Sequence, residues 1–124
     1  MTKLIYLVTG GAIGTVARYA ISGVMSRSFG NVFPYGTFAV NVAGCLAAGF
    51  LASFAGSRFM AATNTRMFFI VGFCGAFTTF SAFMLDTDRL MSAGEMTAAV
   101  TNVLLSVVFG FLAFRAGAIL GQSI

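Results

Sequence analysis

The sequence predicts an all-α membrane protein of four transmembrane helices, with a break in the third, and three observations predict it. Of the 124 residues, 59% are hydrophobic and only 8% charged, whereas a soluble domain carries about 25% charged residues with which to face water. The apolar residues fall into four runs, 4–25, 35–55, 67–85 and 96–120, each near the ~20 residues that a helix needs to cross ~30 Å of hydrocarbon. The pieces between them are short and turn-like: 26–34 holds Gly30, Asn31 and Pro34, 56–66 is polar and basic, and 86–95 holds Ser92 and Gly94. They leave no room for a soluble domain, so residues 1–124 read as one four-span unit.

The charge balance agrees. A net charge of +4 from scattered Lys and Arg is too small and too dispersed for a nucleic-acid surface, and reads instead as loop charges flanking buried spans. Cys45 and Cys74 both sit inside apolar runs, where they act as small core hydrophobes, not as a secreted disulfide framework. With two cysteines and no histidine, no thiol or imidazole metal-ligand spacing exists.

In the first span, Lys3 followed by an apolar run has the opening of a signal peptide. The run continues through Gly14 and Arg18 without a small-residue cleavage site, so the segment is expected to be a span. Gly10-Gly11-Ala12-Ile13-Gly14 resembles a dinucleotide-binding turn, but Thr15 and Val16 break the required glycine spacing and no Asp or Glu occurs before Asp86. Gly10 and Gly14 fit better as a G-x-x-x-G face that lets two membrane helices approach closely. Gly72 and Gly75, then Gly110 and Gly117, extend that habit. Arg18 either snorkels, pairs with a carbonyl, or sets a positive potential at an anion entrance.

Polar groups inside hydrocarbon need partners, so the few in the later spans carry weight. The second span holds Asn41. The third reads Gly72-Phe73-Cys74-Gly75-Ala76-Phe77-Thr78-Thr79-Phe80-Ser81-Ala82-Phe83. Glycines beside consecutive threonines weaken a helix there, and a local break would free backbone carbonyls at membrane depth. Phe77, Phe80 and Phe83 recur every three residues, and the positive edge of a benzene ring can face a desolvated anion. Plain aromatic packing is the competing use of those rings. In the fourth span Asn102, Ser106 and Gly110 recur at i, i+4 and i+8, on one helix face, a polar stripe suited to line a wet path. Hydroxyls that bond back to their own helix, and asparagines that simply join helices, are the plain alternatives.

The three acids, Asp86, Asp88 and Glu95, all lie at or beyond one span end, so proton coupling has no titrating carrier within the membrane. No histidine base and no paired carboxylates serve an enzyme. A passive conduit is the expected activity.

These motifs place the chain in a family. It resembles, over essentially its whole length, the Fluc family of fluoride channels, also called CrcB. The likeness rests on Gly10-Gly11-Ala12-Ile13-Gly14 with Ala17-Arg18-Tyr19, on Gly36-Thr37-Phe38-Ala39-Val40-Asn41, and above all on Gly72 to Ser81 of the third span. The resemblance implies four-helix subunits that pair as an antiparallel, dual-topology homodimer in the bacterial cytoplasmic (inner) membrane, with two fluoride pores and a structural sodium ion at the dimer centre. Residue by residue, it implies that Gly75 and Thr78 offer backbone carbonyls to sodium, and that Asn41 projects into the pore. Phe80 and Phe83 would turn ring edges to fluoride, Thr79 and Ser81 would supply hydroxyls, Asn102 and Ser106 would form a polar track, and Arg18 would support the pore architecture. Ala82 stands where the family commonly has threonine and Gly110 where it often has serine, so the track here lacks those two hydroxyls.

Alternating spans place Lys3, Arg58, Arg66 and Arg115 on one side and Arg18, Arg27 and Arg89 on the other, a balance that specifies orientation poorly. Insertion in both directions follows. A small four-helix, dual-topology exporter of toxic cations is the competing reading, but it needs a carboxylate in its first span, which here carries Arg18 and no acid.

Overall fold

The structure, a computed structural model, describes residues 1–54 and 62–123. Its regular structure is entirely helical among those residues, and four helical segments are long and apolar enough to cross a membrane. The chain is a multi-pass membrane protein. Helix α1 is Thr2–Phe29 and α2 is Tyr35–Phe54. The third span, Thr63–Ser92, has two halves: α3, which runs from Thr63–Arg66 through Met67–Cys74 to Gly75–Phe77, and α4, Phe80–Ser92. Helix α5 is Met96–Gln122. Ala55, where the second span was expected to end, and Arg58 lie outside the described residues.

The helices outrun the apolar stretches that announced them. Helix α1 passes Met25 to Phe29 and stops where Gly30 takes φ 79 and returns its N–H to the Ser26 carbonyl at 3.1 Å. Pro34 then starts α2 from outside, its carbonyl accepting the Phe38 N–H at 3.0 Å; proline suits a helix start because its missing donor would have had no partner there. Helix α4 likewise passes Leu85 to Ser92. It ends in a Schellman turn, with Glu95 N–H on the Leu90 carbonyl at 2.9 Å, Gly94 N–H on the Met91 carbonyl at 3.0 Å, and Gly94 at φ 80. That turn feeds directly into α5.

Two glycine-mediated seams hold the bundle. Helices α2 and α5 pack most extensively: a Cβ at Gly117 would strike the Leu46 carbonyl, and one at Gly49 the Phe114 carbonyl. Along the second seam Gly10 and Gly14 of α1 lie against the Phe68 and Phe73 carbonyls of α3, and Gly72 answers against the Leu7 carbonyl. The part of α3 on this seam, Met67–Cys74, is π-helical, a wider winding that is often found at functional sites. Gly75 belongs to neither seam, and Gly110 faces α2 without a close approach, since a Cβ there would make only an ordinary contact with Cys45 Sγ at 3.6 Å. The small interior holds Val40, Cys74, Phe77, Phe83 and Leu90. Leu4, Val8, Val16, Phe111 and Leu112 point outward, as lipid rather than water requires.

Candidate functional site

The third span breaks at two threonines. Thr78 (φ −79, ψ 155) and Thr79 (φ −151, ψ 113) are extended, and the helix restarts at Phe80. Thr79 caps that restart, its Oγ1 accepting the Ala82 N–H at 3.2 Å. Thr78 closes the other side, donating both N–H (3.1 Å) and Oγ1–H (2.9 Å) to the Cys74 carbonyl. Asn41 of α2 clamps the gap: its Nδ2 donates to the Thr79 carbonyl at 3.1 Å while its Oδ1 accepts the Thr79 N–H at 2.8 Å. One primary amide thus satisfies both polar groups of one broken residue.

The clamp has a consequence for two other carbonyls. In an unbroken helix the Thr79 N–H would go to Gly75 and the Ala82 N–H to Thr78. Both donors are diverted, to Asn41 and to the Thr79 hydroxyl. The Gly75 and Thr78 carbonyls are therefore left without their helical donors at membrane depth, a state tolerated only where protein, water or an ion faces them.

A groove of about 480 Å³ opens beside the break, with Asn41, Thr79, Phe80, Phe83 and Ser106 in its wall. Phe83 is 6% exposed and Phe80 is 73% exposed, with ring centroids 5.7 Å apart and planes tilted by 51°. Across the break lies a cavity of about 250 Å³ walled by Arg18, Ser22, Thr37 and Thr79 among others. A third, of about 120 Å³, shares Ser22 and Thr37 with it and adds Asp86 and Arg89. Thr79 lines both the groove and the Arg18 cavity, so neighbouring members of the three share wall residues. Thr37 Oγ1 donates to Asp86 Oδ2 at 2.6 Å, and Arg89 reaches Asp86 Oδ1 at 3.5 Å. The buried Arg18 Nε has no hydrogen-bond partner among the described residues.

Comparison with known proteins gives this geometry a setting. The family described as "CrcB-like protein, Camphor Resistance (CrcB)" matches residues 5–118. The fluoride-specific ion channel FluC of Parabacteroides distasonis is 44% identical over 124 residues, spanning 100% of this chain and 96% of the relative. That of Desulforapulum autotrophicum is 43% identical over 122 residues, 98% of each chain, and that of Methylocella silvestris 40% over 122 residues, 97% of this chain and 93% of the relative. The chain belongs to the CrcB-like family.

In this CrcB-like chain the residues singled out from sequence divide into groups. Asn41, Thr79, Phe80, Phe83 and Ser106 meet at the groove, with Gly75 and Thr78 on its edge. Ser81 is exposed and pairs with Thr79, Oγ to Oγ1, at 3.3 Å, without lining the groove. Arg18 stands across the break, and Ala82 with it. Asn102 lies elsewhere, buried between α4 and α5, with Nδ2 on Thr87 Oγ1 at 2.9 Å. Sequence reading passed over Thr37 and Asp86. Thr37 is an in-span hydroxyl of the Gly36 to Asn41 motif and could have been found; Asp86 was expected at or beyond the span end because the apolar run stops at Leu85.

Proposed function

We propose that this chain forms a passive, fluoride-selective channel that releases fluoride across the bacterial cytoplasmic membrane and so limits its toxicity inside the cell, and that it is not an enzyme. The observation that carries this reading is the clamped break beside a tilted pair of phenylalanine rings, in a family whose relatives are named fluoride-specific ion channels. A small desolvated anion needs donors and positive edges without a strong trap, because conduction requires release as well as binding. Asn41 has a second Nδ2 hydrogen beyond the one given to Thr79, Thr79 and Ser106 bring hydroxyls, and the rings bring electropositive edges. Arg18 supplies positive potential across the break.

The working unit in this reading is an antiparallel homodimer. Gly75 is exposed and a Cβ there would meet only the Ile70 carbonyl, at 4.0 Å, which leaves a face open beside the two donor-deprived carbonyls. Those carbonyls fit sodium in kind, since a hard cation takes oxygen ligands, and a sodium ion held there would tie two copies together. The charge balance supports insertion in both directions. Arg18 sits about 17 Å short of the end of α1, and Arg115 about 10 Å short of the end of α5, at 1.5 Å per residue. Without them the flanking charges are Lys3, Arg58 and Arg66 against Arg27 and Arg89, still nearly even.

Purified protein in liposomes should release fluoride down its own gradient with no proton or sodium gradient imposed, and chloride far more slowly. Equal chloride flux overturns selectivity, and strict dependence on a second ion's gradient overturns the channel mechanism. For the sodium and pairing elements, Gly75→Val should fold as a chain but fail to pair, running as a monomer in detergent without flux. Thr78→Ala removes the hydroxyl bond to Cys74, about 1 kcal/mol, and the methyl that packs against Gly44, but keeps its carbonyl, so pairing and most flux should persist. The opposite ranking of these two variants would reverse the assignment.

A further inference from the structure

We infer that Asn102 and Thr87 form a positioning pair that fixes the rotation of α4, and with it the placement of the Phe83 ring in the groove wall, without either residue touching the ion. The identity of the ion rests on the function proposed above; the positioning itself does not. Asn102 is 1% exposed, the one buried polar residue among those described, and it is absent from the groove wall that its helical neighbour Ser106 joins. Its Nδ2 donates to Thr87 Oγ1 at 2.9 Å, and that hydroxyl donates onward to the Phe83 carbonyl at 2.7 Å. A single hydroxyl, acceptor on one side and donor on the other, links long helix α5 to the residue whose ring lines the groove.

Helix α4 needs such a link. Its 13 residues start at an extended break and end in a tight turn, so α3 does not dictate its rotation. Its principal packing partner is α5; to α2 it has light contact and one hydrogen bond, Thr37 Oγ1 to Asp86 Oδ2 at 2.6 Å, one turn nearer its C-terminus than Phe83. The surface it shares with α5 is otherwise mostly apolar, including Met91, Ala99, Val100 and Val103 beside Thr87. Apolar contacts are non-directional and tolerate a small turn of the helix, whereas a hydrogen bond weakens steeply once misaligned. Phe80 and Phe83 are three residues apart on α4, so any turn about its axis moves both rings together. Asn102, bonded through Thr87 to Phe83 itself, thus resists at the ring pair the motion that would misalign it, while Thr37 holds the next turn at Asp86.

The test places 4-fluorophenylalanine at position 83 and reads its ¹⁹F resonance in the assembled protein, beside fluoride flux in liposomes. Thr87→Val keeps the shape and removes the hydroxyl; Asn102→Leu keeps bulk and removes the donor; Thr87→Ser restores the hydroxyl. Thr87→Val and Asn102→Leu should each shift the resonance and cut flux about tenfold, the scale of one hydrogen bond's alignment. The double variant should be no worse than either alone, and Thr87→Ser should match the parent in both readouts. Thr97→Val, exposed on the same helix α5, is the inert control. If Thr87→Val leaves resonance and flux unchanged, the inference is overturned, and a loss confined to Asn102→Leu would make Asn102 act on the ion directly. Should Asn102→Leu fail to assemble, Thr87→Val and Thr87→Ser decide by themselves. If the parent carries no fluoride, the proposed function fails, and the ¹⁹F shift still decides the positioning.

Discussion

Asn41→Leu is expected to abolish fluoride flux and to lower the thermal stability of the purified protein in the same step. Leucine has nearly the shape of asparagine but neither holds the Thr79 N–H nor feeds the Thr79 carbonyl, the two bonds of 2.8 and 3.1 Å that the amide makes. Each part-buried backbone group left unpaired costs up to about 1–3 kcal/mol, less where water of the flanking cavities replaces the partner. Asn41→Asp separates the contributions further. A carboxylate still accepts the Thr79 N–H, but it turns the second contact into oxygen against oxygen and adds negative charge on an anion's path, so this variant should be equally inactive and also less stable. Thermal unfolding in detergent, read beside liposome flux, checks both. Asn41→Leu losing flux at parental stability would reduce Asn41 to a polar contact for the ion and remove its hold on the break.

The four spans were legible because hydrocarbon is a strict solvent: a chain with 8% charged residues has few other ways to fold. Their ends were not. Composition reports the thickness of the apolar layer, whereas a helix continues past it until a cap such as Gly30 or Gly94 stops it. That difference hid Asp86, which the apolar pattern put beyond the span and which α4 holds in place as the acceptor for Thr37. The break could be read from Gly75, Thr78 and Thr79 because those residue types favour it. The π-helical winding of Met67–Cys74 could not, since its residues are mostly ordinary apolar ones and the glycines they lie against, Gly10 and Gly14, are on another helix. Asn41 was singled out as costly in a membrane, but its partner is a backbone unit 38 residues away, which no side-chain pattern advertises. The spacing of Asn102 and Ser106 put both on one face, as they are. It did not say that the groove stops at Ser106, about one helical turn short of Asn102.

Phe80→Ile should leave folding unchanged and cut fluoride flux by about ten- to a hundredfold, equivalent to ~1.4–2.7 kcal/mol of barrier. The structure makes position 80 the sharper of the two ring tests. Phe80 is 73% exposed within the chain whereas Phe83 is 6% exposed, so Phe83→Ile mixes any ion effect with a packing cost, one that falls short of the ~3–5 kcal/mol that alanine would impose. At position 80 that packing cost is nearly absent. Isoleucine in the first turn of α4 adds only a few tenths of a kcal/mol of helix propensity, and it keeps apolar bulk while deleting the electropositive ring edge. Phe111, 64% exposed on α5, is the matched control: if the ring at 80 merely faces lipid or a neighbouring chain, Phe80→Ile and Phe111→Ile should behave alike. If it faces the ion, the Phe111 variant conducts and the Phe80 variant does not, with both assembling to the same size in detergent. Full flux through Phe80→Ile and Phe83→Ile together would return both rings to packing, and would leave the Asn41 amide with the Thr79 and Ser106 hydroxyls as the groups that receive the anion.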